Sequence, residues 1–197
     1  MNGENPPSIN VALEPSEEWK GILGHGETIL WQGRPDPNKP ITLTTLGQMA
    51  FGLFFAGFAL FWMLMASRAG GFFWMFGLIH FCVGLGMSAR AILWPRIKLS
   101  NTWYTLTDRH AFIATSIPLQ GQKLRSWAIN ADSVLTFDEG PPPSVGFGFE
   151  TVKRRNKKQL SAIGFERIAD GRAVYGIMRD LRHRDLARTL SEKDNTR

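Results

Sequence analysis

The hydrophobic residues of this chain are concentrated in two long runs, Leu46–Ala66 and Phe72–Trp94, with a short turn between them. The first run has no ionisable side chain, and the second carries two basic ones, His80 and Arg90. About 20 apolar residues in a helix span a hydrocarbon core of roughly 30 Å. The pattern predicts a transmembrane hairpin over 44–94 that returns the chain to its starting side. The alternative, a buried helical hairpin of a soluble protein, needs more surrounding protein than the rest of the chain supplies.

After Pro95 the apolar positions alternate with a period of two, in short segments separated by Gly, Pro and Asp, which predicts an antiparallel sheet or small barrel. The period becomes helical again over about 170–186, where apolar residues form one stripe. The predicted fold is therefore α+β, with a transmembrane hairpin followed by a cytoplasmic β-domain and its C-terminal helix over 95–188. The predicted strands are 103–107, 111–115, 124–129, 134–137, 145–150 and 160–165. The residues of the stripe are Ala173, Val174, Ile177, Met178 and Leu181.

The two ends of the chain differ from these segments in composition. Residues 1–26 are rich in Asn, Pro, Glu and Gly and are predicted to be a disordered tail. Residues 27–43 begin with alternating polar and apolar positions that stop at proline, so they predict either a short strand or an interfacial segment. The polar residues 189–197 are predicted to be frayed.

Charge determines the predicted orientation. The chain has a formal net charge of +6, and the basic excess follows the hairpin. Cations flank the outer ends of the hairpin, whereas its turn holds only Arg68, so the positive-inside rule places both termini in the cytoplasm. The flanking cations are Arg34, Lys39, Arg90, Arg96 and Lys98.

Two polar residues lie inside the predicted spans, where ionisable groups are costly. Arg90 is near the cytoplasmic end and can extend its side chain to the interface. His80 lies nearer the middle, and a neutral, hydrogen-bonded packing role is the favoured interpretation. If several hairpins associated, both residues could instead form the polar seam of an oligomeric transport or channel subunit.

A basic segment lies between the last two predicted strands, with five positive charges in six residues. Each cation near an anionic bilayer contributes about 1 kcal/mol to binding, so the segment could contact lipid headgroups. A solvated loop that only continues the positive-inside pattern is the slightly favoured interpretation. No recognition-helix pattern and no stacking aromatic residues accompany it, so nucleic acid is not an expected partner. The residues are Lys153, Arg154, Arg155, Lys157 and Lys158.

The sequence predicts no catalytic residue, no metal site and no cofactor. Neither a nucleophile elbow nor a phosphate loop is present. The single cysteine, Cys82, allows neither an intramolecular disulfide nor a cysteine-based zinc site. His110 follows Asp108 and Arg109 directly, and adjacent residues of one turn rarely converge on a substrate, so a structural role is expected.

Two short motifs lie on either side of the predicted hairpin. The first motif comprises Glu27, Trp31, Gly33 and Pro35, and the second comprises Tyr104, Leu106, Thr107 and Arg109. They resemble the motifs of bacterial pleckstrin-homology-like (PH-like) membrane proteins with an N-terminal two-helix hairpin. The resemblance implies a seven-stranded PH-like β-sandwich or barrel capped by a C-terminal helix, in the bacterial inner membrane. It implies little about activity, because this fold serves many uses.

Together these features predict a non-enzymatic membrane protein. Its PH-like domain would act as an adaptor or accessory subunit for a protein partner or anionic lipid at the membrane surface. The protein partner is not identified by the sequence, and a homo-oligomer is possible through the hairpin.

Overall fold

A computed structural model describes residue 19 and residues 21–118, 120–154 and 157–195. The chain is an α+β protein with two long apolar helices followed by antiparallel sheets and a C-terminal helix. It divides into two compact units, a helical one over 37–100 and a second formed by the described parts of 1–36 and 101–197. The helices are α1 (Leu43–Ser67), α2 (Met75–Ser100) and α3 (Gly171–Asp194). The strands are β1 (Ile29–Gly33), β2 (Thr102–Thr107), β3 (His110–Ile117), β4 (Gly121–Ala128), β5 (Thr136–Asp138), β6 (Ser144–Arg154) and β7 (Lys157–Phe165).

The helical unit consists of α1 and α2, both long and apolar enough to cross a membrane by length and composition. Only 17% of the most apolar stretch of each helix is buried, whereas a core helix of a soluble protein would be mostly buried. α1 begins at Leu43 because the Thr42 hydroxyl accepts the Thr45 N–H at 3.3 Å, an N-cap. α2 continues past the predicted end at Trp94 and includes Pro95.

Small residues bring α1 and α2 close together. A Cβ added to Gly84 would lie 2.7 Å from the backbone nitrogen of Ala56, and one added to Gly52 would lie 2.7 Å from the Gly84 carbonyl oxygen. The Ser88 hydroxyl donates to the Met49 carbonyl at 3.0 Å. The two backbones therefore approach closely, as small residues allow in pairs of membrane helices. These small residues therefore serve the contact between the two helices of one hairpin.

The second unit contains two antiparallel sheets, in the orders β1-β2-β3-β4 and β5-β6-β7. The strand pairs of the described residues do not close them into a barrel. Of the two readings of 27–43, the structure has the strand: β1 pairs with β2, with Ile29 opposite Thr107 and Gly33 opposite Tyr104. In the order of the chain, the helical unit is thus inserted between β1 and β2, which are neighbouring strands of one sheet.

The core of this unit lies between the sheets and α3. Phe165, Leu106 and Val174 are fully buried there, and Met178 continues the α3 stripe. Ala173 is exposed, so the buried stripe is narrower than predicted. α3 continues to Asp194, well beyond the predicted end near 186, and an Arg188–Glu192 ion pair at 3.7 Å lies in its last turns.

The predicted disordered tail, 1–26, and the predicted frayed end, 189–197, each include residues that the structure places in contacts or in a helix. Residues 1–18 lie outside the described residues. Trp19 packs edge-on against Phe112, with ring centroids 5.5 Å apart, so the part of the predicted tail nearest β1 contacts the sheet. Residues 189–194, predicted to be frayed, belong to α3.

Candidate functional site

The pairing of β1 with β2 brings together polar residues of the two motifs. The Glu27 side chain is 1% exposed. It accepts hydrogen bonds from the Thr107 hydroxyl, from the Gly24 N–H at 2.7 Å and from His110 Nδ1 at 2.9 Å. Burial alone raises the pKa of the Glu27 carboxyl, but these hydrogen bonds outweigh it and hold the pKa below its ordinary value of 4.5. The result is an ionised carboxylate that joins the start of β1 to the β2–β3 turn.

The apolar motif residues pack around Phe165. The Trp31 ring lies 5.5 Å from the Phe165 ring, and Tyr104 stacks on the same ring at 4.7 Å. Burial raises the pKa of Tyr104 to about 12, and its oxygen accepts the Glu166 N–H at 3.3 Å. A Cβ at Gly33 would lie 2.2 Å from the Trp31 ring, which explains the glycine.

The remaining motif residues have unlike environments. Leu106 and Pro35 are buried, whereas the Arg109 side chain is 57% exposed. The motifs thus supply core packing and one buried carboxylate, and Arg109 alone among them is largely available to a ligand.

Arg167 and Asp36 form a contact that the sequence did not reveal. Arg167 Nη2 lies 3.1 Å from Asp36 Oδ2, its Nε donates to the Asp36 carbonyl at 3.2 Å, and the Asp36 N–H donates to the Arg167 carbonyl at 2.8 Å. Arg167 has φ +54°, a left-handed conformation that is strained for a residue with a Cβ. The contact fixes the segment after β1 to the segment that joins β7 to α3.

Replacing Arg167 with alanine should lower the free energy of unfolding by about 2 kcal/mol, because the contact is lost while the backbone strain remains. Arg167→Gly loses the same contact but relieves the strain, so it should be about 1 kcal/mol more stable than Arg167→Ala. Urea titration of the purified chain followed by tryptophan fluorescence measures both. If Arg167→Gly were less stable than Arg167→Ala, the left-handed backbone conformation at this position would not be a source of strain.

One face of the four-stranded sheet carries an open groove of about 1030 Å³, here called the sheet groove. The Arg34 guanidinium lies 4.7 Å from the centre of the Trp103 ring, a cation–π contact. Lys123 adds a second cation, and no acidic residue is among the described lining residues. Gly33 and Arg34 line it at the end of β1, and Trp103 lines it near the start of β2. The lining residues are Trp19, Ile22, Gln32, Gly33, Arg34, Trp103, Tyr104, Thr105, Ala114, Thr115, Ser116, Gln122, Lys123 and Leu124.

A second cavity, of about 560 Å³ and here called the helix-side pocket, lies at the opposite end of β2. It is formed by the β2–β3 turn, the end of β4 and the second half of α3. The lining residues are Asp108, Arg109, His110, Ala128, Ile129, Asn130, Leu181, Arg184, Asp185 and Arg188. Its charged groups are mostly arginines, which distinguishes it from the aromatic and hydroxyl surface of the sheet groove.

The predicted intramembrane polar residues do not come together. His80 Nδ1 lies 3.1 Å from the Phe76 carbonyl oxygen one turn earlier, and its ring contacts those of Phe76 and Phe55. Arg90 lies 5.6 Å from the centre of the Trp94 ring. Ten positions of α2, about 15 Å along the helix axis, separate His80 from Arg90.

The basic segment was predicted as a connection between two strands, but most of it lies in the strands themselves: Lys153 and Arg154 end β6, and Lys157 and Lys158 begin β7. Lys153 pairs with Lys158 and Arg154 with Lys157 in the backbone register of a β-hairpin. Arg155 and the side chains of the other four residues lie outside the described residues. Its predicted contact with lipid headgroups stays a prediction.

In the described part of the chain, no three His, Cys, Asp or Glu side chains are grouped so that they could hold a metal ion. Comparisons with protein-family models, with curated proteins and with solved structures each gave no match to this chain.

Proposed function

We propose that this protein is a membrane-anchored, non-enzymatic adaptor whose PH-like domain lies on the cytoplasmic face of a bacterial inner membrane. The observation that carries the proposal is the insertion of α1 and α2 between β1 and β2, which pair in one sheet. Both ends of the apolar hairpin therefore return to the same domain, as a hairpin that crosses a bilayer twice requires. The seven strands in two antiparallel sheets and the helix α3 agree with the PH-like fold that the motifs imply.

In this proposal the sheet groove contacts the membrane surface. Trp103 follows the last residue of α2 by three positions in the chain. Tryptophan is favoured at the depth of the lipid headgroups, and Arg34 and Lys123 attract anionic headgroups. The domain is then held against the bilayer with its other surfaces open to a protein partner.

A photo-crosslinking amino acid tests this role. We expect a probe at Leu124, which lines the groove and is 43% exposed, to form a discrete product with anionic lipid or with one protein in cells. Val134 is 51% exposed and lies outside both cavities, so it is the matched control position. Equal yields of crosslinked product from Leu124 and Val134 would contradict the proposed role of the sheet groove.

A further inference from the structure

The helix-side pocket holds three guanidinium groups whose contacts within the protein are weak. Arg109 Nε lies 3.9 Å from Asp108 Oδ2, and Arg188 Nε lies 3.7 Å from Glu192 Oε1. Arg184 is exposed, and its side chain makes no hydrogen bond or ion pair with any residue that the structure describes. Exposed pairs at such distances contribute less than about 1 kcal/mol, so a ligand can replace them at little cost.

The two carboxylates of the pocket already have partners in the backbone. Asp108 Oδ1 accepts the Thr28 N–H at 3.0 Å, and Asp185 Oδ2 accepts the Ala131 N–H at 3.0 Å. They hold the β1 start and the β4–β5 loop in place around the pocket. The donors that remain for a ligand are therefore those of the arginines.

Glu27 fixes the orientation of the His110 ring in the pocket. His110 Nδ1 donates to the buried Glu27 carboxylate at 2.9 Å, and the ring lines the pocket. The other ring nitrogen, Nε2, is therefore the one available to a ligand.

The spacing of the arginines matches an extended peptide. Arg184 and Arg188 are one helical turn apart on α3, about 6 Å. Side chains on one face of an extended strand repeat every two residues, about 6.7 Å. Guanidinium groups bind carboxylates in a bidentate geometry. An extended segment with acidic residues at alternate positions can therefore pair with both arginines at once.

We infer that the helix-side pocket binds an extended acidic segment of a partner protein, through Arg109, Arg184 and Arg188. This inference rests on the proposed adaptor function and identifies the chemistry of its partner.

The test uses the full-length chain in detergent and a fluorescent octapeptide in which glutamate alternates with serine. Arg184→Gln/Arg188→Gln should weaken binding of this peptide by about tenfold, as the loss of two ion pairs predicts. The control, Arg172→Gln/Arg179→Gln, removes the same charge from the same helix outside the pocket and should change binding by less than about twofold. If the first variant does not fold, Arg109→Gln in the β2–β3 turn replaces it.

Equal loss in the pocket and control variants would overturn the inference, because binding would then depend on net charge alone. Absence of peptide binding by the unaltered chain would overturn it as well. Displacement of the peptide by inorganic phosphate at equal concentration would reassign the pocket to a phosphate ligand. Since no membrane is present in this assay, its failure is distinguishable from failure of the adaptor proposal, which the Leu124 crosslinking tests.

Discussion

Replacing Glu27 with alanine should lower the free energy of unfolding of the sheet-containing unit by about 3 kcal/mol. The variant leaves the Thr107 hydroxyl, the Gly24 N–H and His110 Nδ1 without the carboxylate that each of them contacts. A buried donor that loses its partner costs about 1–3 kcal/mol. The Thr107 hydroxyl can donate instead to the His110 carbonyl at 2.9 Å, and the His110 side chain, which is 37% exposed, can turn towards water, so the three costs do not add in full. Urea titration of the purified chain measures the change.

Glu27→Gln is the matched control for size. Both oxygens of the carboxylate accept hydrogen bonds, whereas an amide supplies only one acceptor, so we expect a loss of about 1–2 kcal/mol. The difference between the unaltered chain and Glu27→Gln should also depend on pH. Because the folded pKa of Glu27 is lowered, its contribution is complete above pH 4.5 and is lost as the pH falls through the folded pKa. A difference that stays constant below pH 4.5 would show that the carboxylate is not held ionised by this network.

Replacing Gly84 with isoleucine should separate α1 from α2. The new side chain would start 2.7 Å from the Ala56 backbone nitrogen and 2.8 Å from the Gly52 carbonyl oxygen, and neither backbone can move aside without breaking its own helix. Overpacking of this kind costs about 3 kcal/mol, at the upper end of its usual range. The measurement is crosslinking between Phe55→Cys and His80→Cys, whose native rings lie 6.1 Å apart across the helix pair, in a Cys82→Ala background.

Gly86→Ile is the control for this experiment. It adds the same side chain two positions away on α2, where a Cβ would meet nothing within 4 Å. Crosslinking should be retained in Gly86→Ile and lost in Gly84→Ile. Equal crosslinking in both variants would mean that α1 and α2 do not pack through the Gly52–Gly84 contact.

Periodicity alone predicted most of the elements of this fold. Runs of apolar residues marked α1 and α2, and alternation marked the strands, because each pattern reflects which side of an element is buried. The helix ends were less accurate. α2 contains Pro95, where the sequence predicted an end, and α3 continues through polar residues to Asp194, since ion pairs such as Arg188–Glu192 need no apolar stripe.

The polar contacts could not be predicted, because they join residues that are far apart in the chain. Thr107 lies 80 positions from Glu27, and Arg167 lies 131 positions from Asp36. Neither motif contains a signal for the register that places Ile29 opposite Thr107. His110 was expected to have a structural role, and its bond to Glu27 has such a role, but its place in the helix-side pocket depends on the packing of α3. Of the three arginines of that pocket, the sequence singled out only Arg109, as a residue of the second motif.

The insertion of the hairpin between β1 and β2 has a consequence for assembly. The two strands are separated by 68 residues along the chain, from Gly33 to Thr102, yet they are neighbours in the sheet. The paired helices α1 and α2 bring the ends of this long connection together, which reduces the entropy lost when β1 joins β2. Variants that open the hairpin, such as Gly84→Ile, should therefore also slow formation of the sheet.

The most direct test of the central claim is the labelling of single cysteines with a membrane-impermeant maleimide in spheroplasts. Cys82→Ala removes the native thiol, and Ala69→Cys and Val134→Cys then report on the hairpin turn and on the loop between β4 and β5, outside the sheet groove. The account predicts that the cysteine at position 69 reacts in intact spheroplasts and that the one at position 134 reacts only after the membrane is permeabilised. Reaction of both from the same side of an intact membrane would contradict a hairpin that crosses the bilayer.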